Sequence, residues 1–136
     1  MFRKVVVYFD GSPRGKKVVK TAIVLCYHLG SELFIVSAVN PLDELDISFG
    51  EFEQEVERGI YSLVEDAEEV NVKTEVRLLF GSPEDVLIKV IDAERPDLVV
   101  LPLIQLGGGF FGRGETLHSK ILNLYADRGL AVMVIP

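Results

Sequence analysis

The sequence contains one cysteine, no tryptophan and two histidines among its 136 residues. Cys26 cannot form an internal disulfide, and in its apolar surroundings a free cysteine usually behaves as a small buried hydrophobic residue. No apolar run approaches the roughly 18–20 residues that a membrane-spanning helix needs. The first residues lack a small-residue cleavage site, which favours a first strand over a signal peptide. We therefore expect a soluble, cytoplasmic protein in a reducing compartment.

Positive charge is also scarce, with 14 Lys and Arg against 21 Asp and Glu and a net charge of −7. Nucleic-acid binding depends on a basic surface that neutralises phosphates, so this balance argues against a nucleic-acid partner. The densest acidic stretch interleaves with Val56, Ile60 and Leu63 at helical spacing, which is typical of the solvated face of a helix. Because a calcium or magnesium site needs oxygen ligands that converge from a tight loop, we expect no metal site.

Apolar residues are abundant, at 49% of the chain, and predict a single domain over residues 1–136. Short runs rich in Val, Ile, Leu and Phe predict strands at residues 4–9, 33–39, 72–80, 98–101 and 131–135. Segments of helical period lie between them, at residues 13–29, 49–69, 83–93 and 116–128. This alternation predicts an α/β, Rossmann-like, doubly wound sheet of five parallel strands with helices on both faces.

Several residues mark the ends and faces of these helices. Ser12 before Pro13 and Ser82 before Pro83 predict N-caps, and Gly30 and Gly129 predict stops. The first helix has an apolar face that we assign to Val18, Ala22, Leu25, Cys26 and Leu29. The second helix has a stripe that we assign to Phe52, Val56, Ile60, Leu63 and Ala67.

Ligands of doubly wound sheets bind beyond the carboxyl ends of the strands. Asp10, Gly11 and Ser12 follow the first strand, where the Asp10 carboxylate can accept hydrogen bonds from the base or ribose of a ligand. The alternative is that Asp10 and Ser12 only cap the first helix. Residues 105–114 contain five glycines before the last helix, a composition that can turn backbone N–H groups toward an anion or form an ordinary surface loop. Arg113, Ser119 and Lys120 are the nearby side-chain donors.

Several of these segments together resemble the universal stress protein family over almost the whole chain. The residues that carry the resemblance are Asp10-Gly11-Ser12, Ser37-Ala38-Val39, Gly81-Ser82-Pro83 and Asp97-Leu98-Val99-Val100. The resemblance implies a sheet order of 3-2-1-4-5 and a role in stress response or signalling. For the nucleotide-binding branch it also implies an ATP site across strands one and four. The candidate site then comprises Asp10, Gly11, Ser12, Val39, Gly107, Gly108, Gly109, Arg113, Ser119 and Lys120.

The branch's signature is glycine, two residues, glycine, nine residues, then glycine and serine or threonine, and this chain departs from it. Counted back from the last strand, Ser119 and Gly108 fit, but Gln105 and His118 replace glycines. Counted forward from strand four, the first two glycine positions fall on Pro102 and Gln105, so the loop is longer than the family's. A nucleotide-free dimeric interaction module of the same fold therefore stays open as an alternative.

Catalysis has little support in the sequence. His28 lies near the end of the first helix, and His118 points about 100° away from its neighbour Ser119 on a helix, with no identifiable third orienting group. We expect at most slow ATP hydrolysis.

The strand Ala131–Ile135 carries no charge on either face, whereas the third strand alternates apolar residues with charges. In the implied order these two strands form the edges of the sheet, and an open apolar edge invites pairing. We therefore predict a homodimer paired through Ala131–Ile135, which is also the contact that the family resemblance implies.

Overall fold

The computed structural model describes residues 2–39, 49–106 and 115–136, and for residues 49–55 it describes the backbone alone. Its strands are β1 (Lys4–Tyr8), β2 (Glu32–Val39), β3 (Thr74–Phe80), β4 (Leu98–Pro102) and β5 (Ala131–Ile135). Its helices are α1 (Pro13–Leu29), α2 (Phe49–Glu69), α3 (Pro83–Glu94) and α4 (Leu117–Tyr125). The strands form one parallel sheet in the order β3-β2-β1-β4-β5. The predicted fold class and strand order are confirmed.

The central strands alternate their side chains between two buried layers, as the period of two in a strand requires. Val5 and Val7 of β1 pack with α1 and α2 on one face, while Val6 and Tyr8 pack with α3 and α4 on the other. Every residue of β4 is buried, whereas the edge strand β5 is half-buried along its whole length. Burial on both faces explains why the central strands are continuous apolar runs.

Most predicted helix ends are confirmed by their hydrogen bonds. The Ser12 Oγ accepts from the Gly15 N–H at 2.9 Å, and the Ser82 Oγ accepts from the Asp85 N–H at 3.2 Å. Gly30 takes the left-handed conformation with φ +68° at the end of α1. The last helix differs, since α4 ends at Tyr125 and continues as a 3-10 turn, Ala126–Arg128, before Gly129.

The start of β3 differs from the sequence prediction by two residues. The strand begins at Thr74, because the Val72 N–H donates to the Ala67 carbonyl at 3.0 Å and so belongs to the turn that closes α2. The predicted stripe of α2 is otherwise confirmed at Val56, Ile60, Leu63 and Ala67, which are all buried. Its remaining member, Phe52, has a side chain outside the described residues.

The predicted apolar face of α1 was wrong at two of its five positions. Val18, Ala22 and Cys26 are buried as expected, but Leu25 is half-buried and Leu29 is 38% exposed. Val19 and Ile23 are buried instead, because they lie on the face of α1 that packs against β1, β2 and β4. Burial raises the pKa of Cys26 to about 12, so the thiol stays protonated and acts as a small apolar side chain. In the described part of the chain, no helix is long and apolar enough to cross a membrane.

Two leucines on the helices of one face test this core. Leu87 of α3 is fully buried, whereas Leu124 of α4 is 53% exposed. We expect Leu87→Ala to lower the free energy of unfolding by about 2–5 kcal/mol, because it removes buried methyl groups and leaves a cavity. Leu124→Ala makes the same chemical change at the surface and should alter stability by less than about 0.5 kcal/mol. Urea denaturation measures both, and equal losses would contradict the assignment of Leu87 to the core.

Candidate functional site

The candidate residues that the structure describes lie at or just beyond the carboxyl edge of the sheet. Strand β1 lies between β2 and β4, with Val7 in register with Ile35 on one side and Val100 on the other. Asp10, Val39 and the residues that follow Pro102 therefore emerge at the same edge. Val39 is buried, and its carbonyl accepts from the Gly81 N–H at 2.9 Å.

The end of β1 is held by the ring of Phe9, which is 1% exposed. Two glycines let the helices approach opposite edges of this ring. A Cβ added at Gly15 of α1 would lie 3.3 Å from Phe9 Cδ1, and one added at Gly59 of α2 would lie 3.4 Å from Cε2. The buried Ser37 hydroxyl of β2 also donates to the Phe9 carbonyl at 2.8 Å. These contacts determine where the next residue, Asp10, enters the site.

Asp10 forms a hydrogen-bonded turn with Ser12. Its Oδ1 accepts from the Ser12 N–H at 2.9 Å and from the Ser12 hydroxyl at 2.6 Å, and Ser12 in turn caps α1. Gly11 between them has φ +83°, a conformation that favours glycine. The turn with Ser12 therefore accounts for only one of the two carboxylate oxygens of Asp10. The residue is exposed, and Oδ2 has no hydrogen-bond partner among residues 2–39, 49–106 and 115–136.

Gly15 is a site residue that the sequence prediction missed. A Cβ added there would lie 2.1 Å from the Asp10 Oδ1, so any larger residue must displace the carboxylate. The available signal was a glycine in the first turns of a helix, where alanine is intrinsically more favourable by about 1 kcal/mol. Because Gly15 has no side chain, the Asp10 carboxylate can lie over the start of α1.

The start of α4 forms the second half of the site. Thr116 is its N-cap, with the Oγ1 accepting from the Ser119 N–H at 3.2 Å. The Leu117 N–H donates to the Ile104 carbonyl, and the Leu106 N–H donates to the Glu115 carbonyl, both at 2.9 Å. Residues 104–106 and 115–117 are therefore paired side by side at the base of the glycine-rich segment. Gly107, Gly108, Gly109 and Arg113 lie outside the described residues.

Ser119 and Lys120 are present at this helix start but are engaged with protein groups. The Thr116 hydroxyl donates to the Ser119 Oγ at 2.9 Å. The Lys120 ammonium pairs with the Glu84 carboxylate of α3, and this hydrogen bond raises the pKa of Lys120 above its usual value. The described residues show no hydrogen bond that joins this group to Asp10 and Ser12. Thr116 and Glu84 are two further residues that the sequence prediction did not name.

His118 lies in the first turn of α4, where the family signature has a glycine. Its Nε2 is 3.4 Å from the Thr116 Oγ1, and its Nδ1 is buried without a hydrogen-bond partner in the described structure. The imidazole thus occupies space beside the helix start. Within the same described residues, no cluster of three or more His, Cys, Asp or Glu side chains is arranged to hold a metal ion.

The profile of the universal stress protein family matches residues 1–109, which is more than half of the chain. The chain belongs to the universal stress protein family. The match covers β1 to β4 and ends within the glycine-rich segment, before α4 and β5. A search of curated proteins finds no significant match.

Solved structures of this family share the fold. A universal stress protein in complex with cAMP matches with a TM-score of 0.69 and 22% identity, covering 98% of this chain and 96% of that one. A family member from Burkholderia pseudomallei gives 0.71 and 19%, covering 99% and 96%. The Archaeoglobus fulgidus protein in complex with dAMP gives 0.64 and 17%, covering 100% and 98%. At these identities the likeness extends to the fold alone.

The contact between Gly15 and Asp10 can be tested with a double-mutant cycle. We expect Gly15→Ala to destabilise the protein by about 1–3 kcal/mol, because the new Cβ collides with the Asp10 carboxylate. In an Asp10→Ala background that collision is gone and only the 3.3 Å contact with Phe9 Cδ1 remains, so the same change should cost less than about 1 kcal/mol. Urea denaturation of the four proteins measures the coupling. Strictly additive effects would show that the carboxylate does not lie against Gly15.

Proposed function

We propose that this universal stress protein binds an adenine nucleotide, ATP, at the carboxyl edge of β1 and β4 and acts in cytoplasmic stress response or signalling. The observation that supports the proposal is the exposed Asp10 carboxylate, which is held by one oxygen at an edge shared with β4 and the start of α4. A carboxylate in this position suits the hydroxyls of a ribose or the amino group of a base. The adenine preference is supported by the two related proteins that were solved with cAMP and dAMP.

The remaining candidates have roles that follow from their chemistry. The backbone N–H groups of Gly107, Gly108 and Gly109 and the guanidinium of Arg113 would contact the phosphates. Ser119 would offer its hydroxyl at the start of α4, and Gly11 and Ser12 would shape the wall beside Asp10. Lys120 would keep its partner Glu84 and add only a distant positive charge. We expect any ATP hydrolysis to be slow.

A second candidate function is a nucleotide-free interaction module, and the start of α4 favours it. The N–H groups of Leu117 and Ser119 already have protein acceptors, and His118 stands beside them. A phosphate at this helix start would have to replace the Thr116 cap or bind through other groups. The two functions are separated by mass spectrometry of the purified protein under native conditions and again after denaturation. A co-purified adenine nucleotide supports the first function, and its absence together with no ATP binding in calorimetry supports the second.

Asp10→Asn separates the capping role of Asp10 from ligand binding. Asparagine keeps an Oδ1 that accepts from Ser12 but removes the charge. We expect near-normal stability and an ATP affinity about fivefold lower, because a charged hydrogen bond is replaced by a neutral one worth about 1 kcal/mol less. Asp10→Ala should lose affinity further and also about 0.5–1.5 kcal/mol of stability, because the donors of Ser12 lose their acceptor. Calorimetry and urea denaturation measure the two effects. Unchanged ATP affinity in both variants would leave Asp10 as a cap alone.

We also propose that the protein is a homodimer paired through β5. In the structure, β5 is hydrogen-bonded to β4 on one side, with Ala131, Met133 and Ile135 packed in one core layer and Val132 in the other. Met133 packs with the layer of α1 and α2, so a charge at that position would disturb the core as well as the edge. Within the described residues, Val134 packs with neither layer, which makes it the cleaner position for a test.

Val134→Lys should weaken the dimer at least about tenfold, because two like charges would face each other across the symmetry axis. Val76→Lys is the matched control, since Val76 is 37% exposed on β3, the other edge of the sheet. We expect sedimentation at micromolar concentration to show dimers for the parent and for Val76→Lys, and monomers for Val134→Lys. A parent protein that sediments as a monomer would contradict the proposed interface.

A further inference from the structure

A second cleft, of about 420 Å³, opens at the amino edge of the sheet, at the far end of the strands from Asp10. Its volume falls within the roughly 300–1,000 Å³ that is usual for small-molecule sites. The cleft lies between the ends of α3 and α4 and the residues that precede β4 and β5. It is separate from the proposed nucleotide site.

The floor of this cleft is apolar. It is formed by Ile91, Pro96, Leu130 and the ring of Tyr125. Tyr125 is 5% exposed, and its hydroxyl donates to the Asp92 Oδ1 at 2.9 Å. The ring is therefore held in place and offers a ligand little more than its edge.

Two guanidinium groups stand at the rim, in a protein whose net charge is −7. Arg95 is exposed and has no ion-pair partner among the described residues. Arg128 lies over the Tyr125 ring with its Cζ 5.3 Å from the ring centroid, and its Nη1 is 3.4 Å from the Asp92 Oδ1. The side chains of Arg128 and Asp92 are 64% and 52% exposed, so this pair is weak and can yield to a ligand.

The negative groups of the cleft are largely occupied. The Asp97 Oδ2 accepts from the Arg3 and Lys4 N–H groups at 2.8 and 3.0 Å, and the Lys4 bond contributes most to the lowered pKa of Asp97. In the last turn of α3, the Ile91 carbonyl accepts from the Arg95 N–H at 2.9 Å, and the Glu94 carbonyl accepts from the Lys4 Nζ at 3.3 Å. Asp97 keeps its negative charge, but its Oδ2 is engaged with the start of β1, which leaves Arg95 and Arg128 as the charged donors that line the cleft.

Arg95 also holds an unfavourable backbone conformation. It is the C-cap of α3 with φ +50° and ψ +60°, in the left-handed region. The ends of α1 and of the 3-10 turn place Gly30 and Gly129 in that conformation, and Asn71 takes it after α2. Glycine and asparagine tolerate this region, whereas arginine does so only at a cost. A strained residue that lines a cleft points to a function for its side chain.

We propose that this cleft binds a small carboxylate with an apolar body. Arg95 forms the two parallel hydrogen bonds that a planar guanidinium makes with a carboxylate, and Arg128 flanks the pair. The apolar body lies against Leu130 and the accessible edges of Pro96 and Tyr125. The inference is independent of nucleotide binding at the opposite edge of the sheet.

The test is a titration of the ¹⁵N-labelled protein with benzoate, followed by amide chemical shifts. We expect shifts confined to residues around Arg95, Tyr125 and Leu130, with at least tenfold weaker responses to benzyl alcohol, which lacks the charge, and to inorganic phosphate, which lacks the apolar body. Arg95→Gln should weaken benzoate binding about tenfold or more. Arg58→Gln removes the same charge from an exposed position on α2 and should leave binding unchanged.

Arg95→Gly removes the side chain without straining the backbone, because glycine suits the left-handed conformation of this residue. This variant should lose benzoate binding while its melting temperature stays the same or rises. The proposal is overturned if benzoate gives no shifts in the cleft, if phosphate or benzyl alcohol binds as well as benzoate, or if Arg95→Gln binds like the parent.

Discussion

The position of the Phe9 ring is the constraint on which the carboxyl edge of this protein depends. The ring closes the core at the end of β1, and α1 and α2 approach its opposite edges at Gly15 and Gly59, where an added Cβ would lie 3.3 and 3.4 Å from the ring. Ser37 holds the Phe9 carbonyl from the neighbouring strand. With residue 9 held from three directions, the chain can turn at Gly11 and place the next carboxylate over the start of α1.

This arrangement gives Asp10 two roles that do not compete. One oxygen completes the turn with Ser12, and the other has no hydrogen-bond partner among the described residues. The start of α4 is organised differently, because Thr116 and the pairing of residues 104–106 with 115–117 satisfy its backbone from within the protein. The edge therefore offers a ligand one ready acceptor side chain and a helix start that is already capped. This difference is why Asp10, and not Ser119 or Lys120, carries the proposed function.

The two ends of the sheet also differ in charge. At the carboxyl edge the described polar groups that face the opening include the Asp10 carboxylate and the ion pair of Lys120 with Glu84. At the amino edge, Arg95 and Arg128 stand over an apolar floor, and Asp97 is turned toward the start of β1. A net charge of −7 describes neither end, because each local field is set by the few groups that the fold brings together.

Much of the fold could be predicted because local sequence patterns indicate where each strand and helix begins and ends. The Ser-Pro helix starts, the glycine stops and the alternation of apolar runs with helical segments all reflect short-range sterics and hydrogen bonds, and the strand order followed from family resemblance. The face of α1 was misjudged because Val19 and Ile23 compete with Leu25 and Leu29 at similar spacing, and only packing against the sheet decides between them. Local patterns in the sequence predicted the elements, most of their ends and the edge at which Asp10 emerges. Tertiary structure decided the closeness of Gly15 to Asp10, the pairing of Lys120 with Glu84 and the convergence of Arg95 and Arg128, because each joins elements whose distance and rotation depend on the packed core.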